Sequence, residues 1–253
     1  VFNMDLYELS CAVEDYVITM RREFHSHPEI SFEEKRTTLR IKEELEKAGI
    51  PHETVGSGNI VGLIDTGKPG KKLAIRADID ALPMEEYDQT LSYRSQNPGV
   101  MHSCGHDGHT AMLLGTAKAL TEMTEDLCGK IYLCFQVAEE VGGGAGEIVE
   151  YLKSKGGVDC VIGTHLDGGS DAGVIYLPDG PLMAGAELFE IEVKGVGGHG
   201  SRPDKAGDPI KPACDILLKI ASIPAQYHNP FDTCVVSPCQ IHGGSADNII
   251  PES

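Results

Sequence analysis

A nearly continuous apolar run over residues 130–137 is the feature that most constrains how this chain folds. Side chains on a strand alternate between the two faces of a sheet, so a strand that is apolar at successive positions must be covered on both faces. Helices that alternate with buried strands predict an α/β fold in three layers, with helices on both faces of a largely parallel or mixed sheet. The other predicted strands are residues 60–64, 73–79 and 158–163, and helical spacing is found in residues 5–24 and 108–121.

The remaining segments predict further helices and a second domain. Ser31 and Glu34 have the spacing of a capping box, which predicts that a helix begins there and ends at Gly49. The pattern changes after residue 181, which predicts two domains, residues 1–181 and a smaller α+β domain over residues 182–253. The elements expected in addition are a helix over 146–153, a half-exposed strand over 187–194, a helix over 209–220 and a β-rich stretch over 233–241.

Composition excludes two classes of function. The net charge is −18 and no basic stretch is present, so the chain cannot neutralise the phosphates of a nucleic acid. No apolar run approaches the ~20 residues that cross a membrane. The eight cysteines are dispersed without a C-x-x-C pair, which predicts a reducing, cytoplasmic location. Those in apolar sequence, which indicates core positions, are Cys128, Cys134, Cys160 and Cys214.

Residues 101–110 concentrate metal-binding side chains in one short segment, with three histidines, a cysteine and an aspartate. Thiolate and imidazole are donors that borderline divalent metals prefer. Gly105, between Cys104 and His106, permits a bend that aims both donors at one ion. The alternative is a polar turn in front of a helix, with Asp107 as its N-cap. Both interpretations can hold together, because loops that lead into helices commonly carry sites.

Further candidate donors follow the predicted strands. Asp80 follows the strand over 73–79, Glu139 and Glu140 follow the run over 130–137, and His165 follows the strand over 158–163. In an α/β sheet, ligands gather beyond the carboxyl ends of the strands. Each residue alone is more often structural or solvated, but their coincidence at the ends of successive strands favours a metal site.

Two adjacent glutamates suit metal-assisted hydrolysis. One glutamate can bind a metal while its neighbour, aimed differently, takes a proton from water. Cysteine, histidine and glutamate together supply enough donors for two ions a few Å apart, as co-catalytic hydrolases require.

Five ordered motifs resemble the dinuclear metallopeptidase and aminoacylase family, in its hippurate hydrolase-like branch. That branch includes N-acyl-L-amino-acid amidohydrolases, auxin-conjugate hydrolases and N-acetyldiaminopimelate deacetylases. The resemblance covers essentially the whole chain. Its motifs are Arg21-Arg22-x-x-His25-x-x-Pro28-Glu29, the run from Arg76 to Pro83, the run from His102 to His109, Ala138-Glu139-Glu140 and Gly197-Gly198-His199-Gly200.

The resemblance implies a function and a role for each site residue. It implies a metal-dependent amidohydrolase that cleaves N-acyl amino acids and uses two divalent ions, zinc or manganese. It implies a large metallohydrolase domain and a ferredoxin-like lid domain that forms a homodimer. The implied roles are metal ligands for Cys104, His106, Glu140 and His165, general base for Glu139, orientation of the site for Asp80, oxyanion stabilisation and substrate contact for His199, substrate contact for Asn248, and support of the loop for His102 and His109.

The sequence also departs from the family pattern. Relatives continue beyond Ser253 and contribute a further histidine ligand, so the chain is expected to be truncated, with an incomplete lid and catalytic domain. His242 is too early to replace that ligand. The alternative function is therefore an inactive remnant that binds metal or protein without turnover. Smaller departures are Asp167-Gly168 after the predicted ligand His165, and Asp204 in the lid.

Two other readings fit the residues less well. Residues 195–200 match G-x-G-x-x-G, but a dinucleotide site needs a helix that opens at once, and Pro203 and Pro209 delay it. A Cys104 nucleophile beside His102 or His106 is possible in principle, but it leaves the glutamate pair and His165 without a role.

Overall fold

The computed structural model describes residues 6–180 and 182–253. It divides into two compact units, one up to Ala172 and the other from Gly173 to Ser253. Residue 181, at which the sequence pattern sets the domain boundary, and residues 1–5 lie outside the described residues. The boundary at residue 181 therefore stays a prediction.

The first unit contains a five-stranded mixed sheet in the order β1-β2-β4-β3-β5. The middle strand β4 runs parallel to β3, which in turn runs parallel to β5, whereas β1 and β2 are antiparallel additions at the other edge. Because β3, β4 and β5 point the same way, their carboxyl ends lie at the same end of the sheet. The strands are β1 (His52–Val55), β2 (Asn59–Asp65), β3 (Lys72–Asp78), β4 (Lys130–Gln136) and β5 (Cys160–Gly163).

Helices cover both faces of this sheet. On β4, Leu133 and Phe135 belong to the core formed with α1, α2 and α3, while Tyr132 and Cys134 pack on the opposite face against α4. The central strand is thus buried on both sides, and the predicted three-layer α/β fold is confirmed. These helices are α1 (Leu6–Ser26), α2 (Lys35–Lys47), α3 (His106–Glu122) and α4 (Ala145–Ser154).

The predicted capping box at the start of α2 is wrong. Glu34 does occupy the N-cap position, but its side chain makes no cap hydrogen bond, and the Glu29 carboxylate accepts from the backbone N–H groups of the first turn. Instead, the Ser31 hydroxyl donates to Asp80 Oδ2 at 2.7 Å, and the Glu34 carboxylate accepts a hydrogen bond from Ala138 N at 2.7 Å. Both side chains bind distant parts of the chain, so tertiary partners take the groups that local spacing assigns to the cap.

Asp107 is not the N-cap of α3, which is the second correction. The N-cap is Gly105, with φ +85°, a conformation that glycine adopts without strain. Asp107 lies in the first turn and faces α1, where Arg21 Nε and His25 Nδ1 lie 3.1 and 2.6 Å from Asp107 Oδ2. The other ring nitrogen of His25 lies 3.0 Å from Glu86 Oε1. A buried imidazole thus joins two buried carboxylates.

Replacement of His25 by glutamine is expected to lower the free energy of unfolding, and to lower it more near pH 6 than near pH 9. Burial is the largest influence on the pKa of His25 and lowers it, but hydrogen bonds with Asp107 and Glu86 outweigh burial and raise the pKa. The stabilisation is therefore complete below the ordinary pKa of about 6.5 and is lost as pH rises through the higher folded value. Urea unfolding at both pH values measures it, with His52→Gln as the control. Equal losses of unfolding free energy at the two pH values would contradict a protonated His25 between the two carboxylates.

Among its described residues, the second unit contains two α-helices, a short 3₁₀ helix (Pro203–Lys205) and one short ladder. Strand β6 (Gly198–His199) pairs antiparallel with β7 (Ile249–Ile250), and α5 (Ile210–Ala221) and α6 (Ile223–Tyr227) lie between them in sequence. The predicted helix over 209–220 is confirmed as α5. The strands predicted over 187–194 and 233–241 are wrong, because neither segment has a ladder partner within residues 6–180 and 182–253. Alternating apolar residues indicate a face, but a strand also requires a neighbour for its backbone groups.

Three of the predicted core cysteines are exposed. Cys134 is buried in β4, whereas Cys128 is exposed in a loop, Cys160 on an edge strand and Cys214 on α5. Apolar neighbours in sequence do not report which side of an element meets solvent. All eight cysteines are free. Among the described residues, no helix combines the length and apolar character needed to cross a membrane.

Candidate metal centre

The candidate site lies at the end of the sheet where β3, β4 and β5 have their carboxyl ends. Asp80 follows β3, Glu139 and Glu140 follow β4, and His165 follows β5. Cys104 and His106 come from the segment that opens α3. The first unit thus brings together all six residues that the sequence assigns to its part of the site.

Asp80 connects three segments of the chain at this end of the sheet. Asp80 Oδ1 lies 3.1 Å from His106 Nδ1, and Asp80 Oδ2 accepts hydrogen bonds from Glu140 N at 3.0 Å and from Ser31 Oγ at 2.7 Å. Burial opposes ionisation of this carboxyl, but the hydrogen bonds outweigh burial and lower the pKa of Asp80. An ionised Asp80 accepts from His106 Nδ1, so the lone pair of that imidazole lies on Nε2.

A strained turn aims the two glutamates. Ala138 has φ +57° and ψ +38°, a left-handed conformation that is uncommon for a residue with a Cβ. Two buried side chains hold this turn, since Val137 N donates to Asn59 Oδ1 at 3.1 Å and Ala138 N donates to Glu34 Oε1 at 2.7 Å. The chain then turns tightly through Glu139 and Glu140 instead of continuing the strand.

The donor atoms of the site are close to one another. The distance from Cys104 Sγ to His165 Nε2 is 3.4 Å. His106 Nε2 lies 3.7 Å from Glu140 Oε1 and 3.9 Å from Glu139 Oε2. Two groups of donors, each with atoms within 4.8 Å of one another, share His106: one with Cys104 and His165, the other with Glu139 and Glu140.

Two buried atoms at the centre of these groups have no hydrogen-bond partner among the described residues: His106 Nε2 and Glu140 Oε1. Buried polar atoms without partners are rare in folded proteins and call for an explanation such as a bound ion. Burial, and next the negative charge of Glu140, raise the pKa of the Cys104 thiol to about 12. The combination of thiol, imidazole and carboxylate donors, with excess negative charge, fits a divalent cation.

Two other buried histidines of the same motif behave differently. His109 belongs to a third group of close donors with Asp78 and His106, but both of its ring nitrogens have partners, Asp78 Oδ1 at 2.6 Å and Leu166 N at 2.8 Å. His102 is buried, and neither ring nitrogen has a hydrogen-bond partner among the described residues. Burial lowers the pKa of His102 to about 4, so its imidazole is neutral at physiological pH.

The second unit brings its two predicted site residues together. Asn248 O accepts a hydrogen bond from Gly200 N at 2.8 Å, next to the pairing of His199 with Ile249 across β6 and β7. His199 Nδ1 lies 2.9 Å from Ser201 Oγ. His242 lies elsewhere in this unit, and its Nε2 is 3.4 Å from Gln240 Oε1.

Sequence reasoning missed the residues that support the glutamate turn. Ser31 and Glu34 were assigned to a helix cap by their spacing, and Asn59 has no motif around it. A buried glutamate and a buried asparagine act here through backbone N–H groups far away in sequence, and local patterns carry no signal for such contacts. The available clue was an asparagine that opens an otherwise apolar strand.

Comparison with known proteins is consistent with this geometry. The model of peptidase family M20/M25/M40 matches residues 74–230. An N-acyl-L-amino acid amidohydrolase of Geobacillus stearothermophilus is 41% identical over 94% of this chain and 65% of that protein. The IAA-amino acid hydrolase ILR1-like 4 of Arabidopsis thaliana is 38% identical over 94% of this chain and 54% of that protein.

Two solved structures of similar proteins, one of them an M20-family peptidase, also resemble this chain. A putative aminohydrolase from methicillin-resistant Staphylococcus aureus has a TM-score of 0.77 and 38% identity, over 98% of this chain and 66% of that one. A dinuclear metal-binding peptidase of the M20 family from Bacillus subtilis has a TM-score of 0.67 and 31% identity, over 98% of this chain and 63% of that one. The chain spans 54–65% of the length of the two curated relatives named above. It belongs to peptidase family M20/M25/M40.

Proposed function

We propose that the protein is a metal-dependent amidohydrolase that cleaves the amide bond of N-acyl amino acids. The observation that carries this proposal is a pair of buried atoms, His106 Nε2 and Glu140 Oε1, that have no hydrogen-bond partner in the described part of the chain and lie 3.7 Å apart, close to Cys104 and His165. Two relatives, an N-acyl-L-amino acid amidohydrolase and an IAA-amino acid hydrolase, support this substrate class.

Cys104, His106, Glu140 and His165 would hold two divalent ions. A dinuclear metal-binding relative supports the number of ions, and the thiolate favours zinc over manganese. When bound, such ions polarise a carbonyl oxygen and lower the pKa of water from about 15.7 toward ~7. Glu139, whose side chain is 39% exposed, accepts the proton of the attacking water and returns it to the leaving nitrogen. Asp80 orients His106 and the backbone of Glu140.

Two further roles are assigned to residues of the second unit. We assign to His199 a hydrogen bond that stabilises the tetrahedral oxyanion together with a contact to substrate, and to Asn248 a contact to substrate. Residues 1–181 form the metal-binding domain in this proposal, and residues 182–253 belong to a ferredoxin-like lid through which two copies associate. The eight free cysteines support a reducing, cytoplasmic setting.

The decisive experiment measures hydrolysis of a panel of N-acetyl and N-benzoyl amino acids by the purified protein. The expected result is turnover that is lost on chelation and restored by zinc or manganese. Metal content is measured in the same samples. Folded protein that retains stoichiometric metal but has no turnover would instead support a metal-binding protein without catalytic activity.

Replacement of Cys104 by alanine is expected to weaken metal binding by at least about tenfold. Loss of a residue that only orients a metal ligand by a hydrogen bond already lowers metal affinity by ~10–100-fold. The thiol lies 3.4 Å from His165 Nε2, so its loss removes a donor from the group that also contains His106. Metal analysis after dialysis measures the effect. Cys128→Ala, at an exposed free cysteine, is the matched control. Full occupancy in the Cys104 variant would exclude the thiol from the metal site.

A further inference from the structure

His109 makes two hydrogen bonds that link β3 to the segment bearing His165. His109 Nδ1 lies 2.6 Å from Asp78 Oδ1, and its Nε2 accepts a hydrogen bond from Leu166 N at 2.8 Å. Asp78 is itself held by Arg76, whose Nη1 lies 2.7 Å from Asp78 Oδ2. The two hydrogen bonds of His109 are made by an imidazole that is almost fully buried.

These partners fix the tautomer of His109. The backbone N–H of Leu166 can only donate, so His109 Nε2 carries the lone pair. The Asp78 carboxylate accepts, so His109 Nδ1 carries the proton. No lone pair is left for a metal ion. The proximity of His109 to His106 is therefore not a sign of ligation.

Both backbone polar groups of Leu166, its N–H and its C=O, are hydrogen-bonded to histidines. His165 Nδ1 lies 2.7 Å from Leu166 O, while Leu166 N donates to His109. The imidazole of His165 is thereby turned so that its Nε2 faces Cys104 Sγ at 3.4 Å. The rings of His109 and His165 also meet edge to face, with centroids 4.7 Å apart.

Two glycines of the first turn of α3 receive the Leu166 side chain. A Cβ at Gly105 would lie 3.2 Å from Leu166 Cβ, and a Cβ at Gly108 would lie 2.5 Å from Leu166 Cδ1. The second distance is shorter than real Cβ contacts, so the Leu166 Cδ1 methyl group would have to move if residue 108 had a side chain. The backbone contact with His109 and the side-chain contact with the notch therefore act on the same residue.

We infer that His109 is a positioning residue, which together with the glycine notch aims His165 Nε2 at the metal centre. The inference rests on the proposed function for the role of His165 as a ligand. The contacts themselves belong to this chain and make a separate prediction for the backbone of Leu166.

Two substitutions at position 109 separate the two hydrogen bonds. The amide of asparagine occupies the place of Nδ1, so His109→Asn can keep the bond to Asp78 but not the bond to Leu166 N. The amide oxygen of glutamine reaches the place of Nε2, so His109→Gln can keep the bond to Leu166 N. We expect the asparagine variant to lose Co²⁺ affinity by about 10–100-fold, with an altered visible Co²⁺ spectrum, and the glutamine variant to retain most of the affinity.

A third variant tests the notch without changing any hydrogen-bonding group. Gly108→Ala displaces the Leu166 Cδ1 methyl group from the notch and is expected to weaken Co²⁺ binding, although alanine favours the helix by ~1 kcal/mol over glycine. Gly146→Ala in α4 is the matched control, because nothing lies within 4 Å of a Cβ at that position. If Gly108→Ala is as stable as the unmodified protein but binds Co²⁺ more weakly, the loss of affinity comes from the position of Leu166 and not from unfolding.

Hydrogen exchange of the Leu166 amide in the metal-free protein is the second readout. We expect faster exchange in His109→Asn and exchange close to that of the unmodified protein in His109→Gln. The inference is overturned by an asparagine variant with unchanged amide exchange, or by equal losses of Co²⁺ affinity in both variants. If the unmodified protein binds no Co²⁺, the proposed function fails, and the exchange of the Leu166 amide still decides whether His109 holds this segment.

Discussion

Replacement of Glu139 by glutamine is expected to lower kcat for an N-acyl amino acid by about 10²–10⁴-fold while the metal content stays the same. Glutamine has the shape of glutamate but cannot accept a proton at neutral pH. Glu139 Oε2 lies 3.9 Å from His106 Nε2, and its side chain is 39% exposed, so it faces both the metal donors and the solvent from which water comes. The expected loss corresponds to a rise in the activation barrier of about 2.7–5.5 kcal/mol.

The neighbouring glutamate provides the control. Glu140→Gln is expected to lower metal content, because Glu140 Oε1 is a buried carboxylate oxygen 3.7 Å from His106 Nε2 and has no hydrogen-bond partner among the residues that the structure describes. The two variants should therefore separate, one with metal and little turnover, the other with little metal. Metal analysis and steady-state kinetics on the same preparations measure both properties. Unchanged turnover in Glu139→Gln would remove Glu139 from the role of general base.

Periodicity and strand order explain why much of the site could be predicted. The apolar run that became β4 required cover on both faces, and a sheet of this kind collects functional residues at the carboxyl ends of its parallel strands. The prediction that Asp80, Glu140 and His165 approach one another needed only these two rules and the positions of the strands. The tight segment with Cys104 and His106 then completed the group.

The features that were not predicted depend on contacts between residues distant in sequence. Glu34 was expected to cap α2 but binds Ala138 N, which holds the strained turn in front of Glu139. The strand expected over residues 187–194 has the right alternation but no ladder partner in the part of the chain that the structure describes. In both cases the local pattern describes which conformation is possible, and the available partner decides which is adopted.

Replacement of Phe135 by alanine is expected to lower the free energy of unfolding of the first unit by about 3–5 kcal/mol. Phe135 is fully buried in β4, where it pairs with Ile60 of β2 and Ala77 of β3, and it belongs to the core against α1, α2 and α3. The loss combines the transfer of a large apolar side chain with a cavity that close packing fills only in part. Small domains are stable by ~5–15 kcal/mol, so the variant should unfold at much lower urea concentration.

Tyr87→Ala supplies the matched control, since Tyr87 is an aromatic residue of the same unit that is 90% exposed. Surface substitutions of this kind change stability by ~0.5 kcal/mol or less. If Phe135→Ala destabilised the protein no more than Tyr87→Ala, β4 would not be the covered centre of the sheet. Because β4 runs directly into the turn that carries Glu139 and Glu140, the same core packing that stabilises the fold also fixes the point at which this turn begins.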